Sequence, residues 1–111
     1  MQLTEAIIRA FVSEARLRNQ KPMVLLIPDE KDLRWLRNHG VLPYAELANR
    51  LRSAGVIAPG VAEALNKALG SRDPCELYTR CASGHFTPEG YRRLAEIAFG
   101  GLSKIGWIEA K

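Results

Sequence analysis

Two histidines stand in the chain, and one of them is in a setting suited to proton transfer. His85 lies in Gly84-His85-Phe86-Thr87-Pro88-Glu89-Gly90-Tyr91, just ahead of a strong helix-start signal. An imidazole titrates near neutrality, so it can take a proton from a hydroxyl and return it to a leaving group. That chemistry needs a rigid mount. Thr87 is a good N-cap, and Pro88 suits the first helical position, where a missing N–H is no loss. His39, in Asn38-His39-Gly40, reads instead as a helix-end residue. Asp29 and Lys31 follow an apolar run and are candidate substrate-binding residues, as is Tyr78. Trp35 and Trp107 read as packing anchors, with Trp35 the better platform for a sugar ring. Cys75 and Cys81 have five residues between them. That is not a zinc half-site, and no second Cys or His pair completes one. The pair is open to a local disulfide in an exported protein or to two free thiols.

The elements that must position these residues follow from periodicity. Leu3, Ile7, Phe11 and Ala15, with Ile8 and Val12 beside them, predict an amphipathic helix over Leu3–Arg18, ended by Asn19-Gln20-Lys21-Pro22. Met23-Val24-Leu25-Leu26-Ile27 has no polar alternation and reads as a parallel strand buried on both faces. A short helix over Asp32–Asn38 follows. Pro43 opens another, with Tyr44, Leu47, Ala48 and Leu51 inward and Gly55 past its end. Val56-Ala58 reads as a second strand and Val61–Leu69 as a helix ended by Gly70. Cys75–Arg80 is open between a turn and an edge strand. In the final helix Tyr91, Leu94, Ala95 and Ala98 form the expected buried face, and Gly100-Gly101 breaks it ahead of a packed segment, Leu102–Ile108. The order of elements predicts a single α/β domain over residues 1–111. Its sheet is short of strands, so a missing N-terminal half or a dimer partner is expected to supply the rest.

Composition narrows the function classes. The 111 residues carry 16 basic and 12 acidic side chains, a formal net charge of +4, spread without a basic block. No basic stripe with interleaved aromatics is present, so nucleic acid is not an expected partner. No apolar run reaches the ~20 residues of a membrane span. Met1–Glu5 lacks the basic and apolar regions of a signal peptide.

The run Met23–Asp29, the stretch Leu42–Ala58, and Leu77-Tyr78 followed by Gly84–Tyr91 together resemble the C-terminal half of an SGNH (GDSL-type) hydrolase. The resemblance is nearest to members that act as O-acetyltransferases or esterases on cell-surface polysaccharides. It implies a flavodoxin-like three-layer fold with a small parallel sheet flanked by helices, of which this chain would be the C-terminal portion. It implies that His85 is the catalytic base toward a serine hydroxyl, and that the substrate is an ester or acylated carbohydrate. No cofactor or metal is implied, and an exported protein of this kind would work in the cell envelope or periplasm. Ser13, Ser53, Ser71, Ser83 and Ser103 do not stand in the family's Gly-Asp-Ser context, so the nucleophile is expected outside this chain. The family's carboxylate positions before the histidine hold Ala82 and Ser83, leaving Asp73 or Glu76 to act through space. The alternative is a non-catalytic α/β module that docks a partner.

Overall fold

A computed structural model describes residues 2–81 and 85–104. Its elements are helices: α1 (Gln2–Leu17), α2 (Glu30–His39), α3 (Ala45–Ser53), α4 (Val61–Leu69) and α5 (Pro88–Lys104), with a 3₁₀ turn over Pro74–Leu77. Local chemistry sets most of the boundaries. Asn19 takes φ 61° just after α1, a left-handed stop that asparagine tolerates. Asp29 and Asp32 form a reciprocal capping box that starts α2, through bonds of 2.9 and 3.0 Å. Gly40, at φ 78°, ends it by returning its N–H to the Leu36 carbonyl. Thr87 caps α5 by accepting from Gly90 N at 3.2 Å, with Pro88 in the first turn.

The expected α/β sheet is not formed. Among the described residues the single β-type pairing is an isolated antiparallel bridge between Tyr78 and Phe86. The Met23–Ile27 run makes one backbone bond to Val56–Ala58, from Val24 N to Ile57 O at 2.8 Å. A ladder cannot extend from that contact. The facing segment is three residues long, entered through Gly55 at φ 83° and left through Pro59, which has no N–H to donate. The partial flavodoxin-like fold is thereby corrected to a small helical domain. The run still packs on two sides: Val24 and Leu26 reach one hydrophobic cluster and Leu25 the other.

The larger cluster joins Leu33 of α2, Val61, Leu65 and Leu69 of α4, Leu77, Tyr78 and Phe86, with Leu94 and Ile97 of α5 against it. The smaller joins Val12 of α1, Leu47 and Leu51 of α3, and Val56, with Ile8 half-buried beside them. Two helical faces differ from expectation. In α1 the buried residues are Val12 and Ala15, while Leu3, Ile7 and Phe11 are 74%, 61% and 61% exposed. In α5, Tyr91 and Ala95 are exposed and the inward face runs Gly90, Leu94, Ile97 and Gly101. A Cβ on Gly90 would lie 2.6 Å from the Leu77 carbonyl, and one on Gly101 would lie 2.9 Å from Pro59 Cγ. These glycines admit close neighbours, so α5 continues through Gly100-Gly101 where a break was expected. The rest of the expected Leu102–Ile108 segment, from residue 105, lies outside the described residues.

Candidate functional site

His85 sits on a short strap between the 3₁₀ turn and α5. Its carbonyl accepts from Thr79 N at 2.8 Å, and Thr87 N donates to the Leu77 carbonyl at 2.8 Å. Between those bonds Tyr78 and Phe86 pair, with their rings stacked at 4.8 Å, and Phe86 meets Tyr91 edge-on at 5.6 Å. The strap is thus bound from the His85 carbonyl through Thr87, and His85 is exposed.

Tyr78 ties the strap to the start of α2. Its ring is 3% exposed and its hydroxyl donates to the Pro28 carbonyl at 2.8 Å. Burial, with the charge of Asp29 next, pushes the phenol well above its ordinary pKa, so it remains a neutral donor. Of the two roles open to Tyr78, pocket lining and core packing, the structure shows the second. Its hydroxyl is already used, and it serves as a strut between the end of the Met23–Ile27 run and the histidine strap. Asp29 follows Pro28, so this strut brings the Asp29 backbone and the His85 strap into one region. The Asp29 carboxylate is occupied in capping α2. Lys31 is exposed on the first turn of α2.

The carboxylates considered as orienters of the histidine have other partners. Asp73 accepts from Cys75 N at 2.8 Å and from Arg34 Nη2 at 2.7 Å. Its pKa is held below the ordinary value, first by the Cys75 N–H and then by Arg34. Glu76 accepts from Asp73 N at 3.2 Å and lies 3.8 Å from Arg72. Ala82 and Ser83, the family positions for that carboxylate, lie outside the described residues. Trp35 is 46% exposed and stacks on His39 at 3.9 Å, so it is not the packing anchor expected. Trp107 lies outside the described residues.

A second group of side chains gathers next to this region. Cys75 and Cys81 form a disulfide, which settles the alternatives left open by spacing. Glu30, on the first turn of α2, is 6% exposed and faces both sulfurs, Cys81 Sγ at 3.1 Å and Cys75 Sγ at 3.5 Å. Arg34 bonds the same Glu30 oxygen through Nε. Its Nη2 reaches Cys75 Sγ at 2.9 Å. Glu30 and Arg34 share one face because α2 begins at Glu30, two residues before the expected start at Asp32. What hid Glu30 was its setting in Asp29-Glu30-Lys31-Asp32, which reads as a solvated loop.

Two open grooves lie elsewhere in the molecule. One of about 690 Å³ runs along the end of α1, lined by Phe11, Ala15 and Asn19–Met23. Another of about 460 Å³ lies between Ile57–Gly60 and the Glu96–Lys104 part of α5. Neither is lined by His85, Asp29 or Tyr78. No helix among the described residues is long and apolar enough to cross a membrane. No family model, no curated protein and no solved structure matches the chain.

Proposed function

We propose that this chain is the histidine-bearing portion of an SGNH-like ester hydrolase or acyltransferase whose serine nucleophile lies outside it. The observation that carries the reading is the mount of His85. Exposed His85 has its backbone held by Thr79, precedes a capped helix, and neighbours Phe86, whose partner Tyr78 is bonded to Pro28. The reading does not rest on a parallel sheet, which the described residues do not form.

In this reading His85 takes the proton of a serine hydroxyl as the oxygen attacks the ester carbonyl. It then returns that proton to the leaving alkoxide, and the acyl group passes to water or to a sugar hydroxyl. Backbone N–H groups must meet the oxyanion, and the segment bearing the serine would supply them. The substrate class is an ester or acylated carbohydrate, and Lys31, exposed on the first turn of α2, is the candidate contact to it. The test is hydrolysis of p-nitrophenyl acetate by the protein in its full natural reading frame, with and without His85→Ala. The expected loss is on the order of 10³-fold or more in kcat. Equal hydrolysis by the variant overturns the assignment.

A docking module without catalysis is the second reading. The Leu3, Ile7 and Phe11 stripe favours it, because three large apolar side chains four residues apart face solvent on α1. No hydrolysis by the wild-type protein, with α1-dependent association with a second copy or a further segment, would establish it instead.

A further inference from the structure

Glu30, Cys75 and Cys81 make an unusual meeting of groups. One ligand atom from each lies within 4.8 Å of the other two. The Glu30 side chain is 7% exposed, so its carboxylate has left water. A desolvated carboxylate must find donors or a cation. With the sulfurs joined, neither carries a proton, and Glu30 Oε1 faces their lone pairs at 3.1 and 3.5 Å. Arg34 then supplies the positive charge. It is shared, because the same guanidinium holds Asp73 at 2.7 Å.

Reduction changes what this pocket offers. A phosphine reductant and water convert the disulfide to two thiols, the phosphine becoming its oxide. Both new S–H groups then lie within reach of the Glu30 oxygen. Two thiolates and a carboxylate are the donors that a thiophilic divalent cation selects. In a tetrahedral site with metal–sulfur bonds of about 2.3 Å, neighbouring ligand atoms stand about 3.5–3.8 Å apart. The Glu30–sulfur separations are already close to that, and the two sulfurs reach it by parting when their bond is cut.

We propose that the reduced protein binds one Zn²⁺-class cation through Cys75 Sγ, Cys81 Sγ and Glu30 Oε1, and that the disulfide closes this site. Binding releases the two thiol protons, and the fourth position is left to water. The cation replaces Arg34 as the counter-charge of Glu30, while Arg34 keeps Asp73. The site is independent of the acyl-transfer reading, since it uses neither His85 nor Tyr78. Sequence spacing hid it because the third ligand comes from α2, 45 residues before Cys75.

The test titrates Zn²⁺ and Co²⁺ into the folded chain, oxidised and phosphine-reduced, against a chromophoric chelator. The reduced protein should take up one ion with a dissociation constant below about 1 μM, and Co²⁺ should show near-ultraviolet thiolate absorption. The oxidised protein should show neither. Glu30→Gln, reduced and checked for helical circular dichroism, should bind about 10-fold more weakly. Equal binding by oxidised and reduced wild type overturns the proposal, and needs no variant. Wild-type affinity in reduced Glu30→Gln overturns it as well, because two thiols alone would then suffice.

Discussion

The half of the molecule built on α2, α4 and α5 and the half built on α1 and α3 bury the same kinds of side chain, but they are tied differently. In the first, Leu33, Leu65 and Leu77 are at most 1% exposed, and cross-links surround them. Arg37 reaches the Arg72 and Gly70 carbonyls at 2.7 and 3.1 Å, and Arg72 pairs with Glu89 at 2.7 Å. The disulfide and the Tyr78–Pro28 bond add to these. In the second, α1 is held by Val12 and Ala15, by Arg16 on the Gly55 carbonyl at 2.6 Å, and by an Arg50–Glu5 pair at 3.7 Å. Its outer apolar stripe contributes nothing to the core. The lesson is that the disulfide, the longer-range cross-links and the candidate sites reside in the same half, while α1 is an attachment with spare apolar surface.

The largest effect expected from this contrast is at Leu65, which is fully buried. Leu65→Ala should cost about 2–5 kcal/mol in urea unfolding, against about 1–2 kcal/mol for Val12→Ala in the smaller cluster. A Val12 loss as large as that at Leu65 would erase the distinction between the halves. Next is Gly90→Ala, whose Cβ would meet the Leu77 carbonyl at 2.6 Å and Phe86 Cδ1 at 2.7 Å. Backbone cannot yield as a flexible side chain does, so a loss of about 1–3 kcal/mol is expected, with the strap displaced. A neutral result by thermal melting would mean that the strap is loosely held.

The smallest effect is electrostatic. The Arg72 hydrogen bond, followed by charge attraction, lowers the Glu89 pKa below its ordinary 4.5. A carboxylate lowered on folding stabilises above its unfolded pKa and loses that contribution as the pH falls through the folded value. Asp73, also lowered, acts in the same sense, while Asp32, raised by burial, opposes it. The melting-temperature gap between wild type and Glu89→Gln should therefore be present at pH 7 and shrink below pH 4.5. A gap that persists in acid would assign the effect to packing.

Helix positions were legible because their signals are local. The Thr87-Pro88 start and the Gly70 stop needed only neighbouring residues. The strands were not legible for a physical reason. An apolar run such as Met23–Ile27 suggests burial on both faces, but it is only half-buried here, with Ile27 52% exposed, and it says nothing about whether backbone partners exist. The α1 stripe failed likewise, since periodicity gives two overlapping faces, Leu3-Ile7-Phe11 and Ile8-Val12-Ala15, and tertiary packing chooses one. At the candidate site, the position of His85 before α5 was visible. The roles of Tyr78 and Glu30 were not, because each is set by a partner far away in the chain.

The Tyr78–Pro28 hydrogen bond spans 50 residues, and this separation has a consequence in time. A chain made from its N-terminus at 5–20 residues per second exposes the Pro28 carbonyl roughly 3–10 s before the phenol that will meet it. During that interval the Met23–Ile27 run has its Val24–Ile57 bond as an earlier tether, while its Pro28 end waits for the phenol. Assembly of the strap is therefore a late event, which fixes the end of the run only after some 50 further residues have been made.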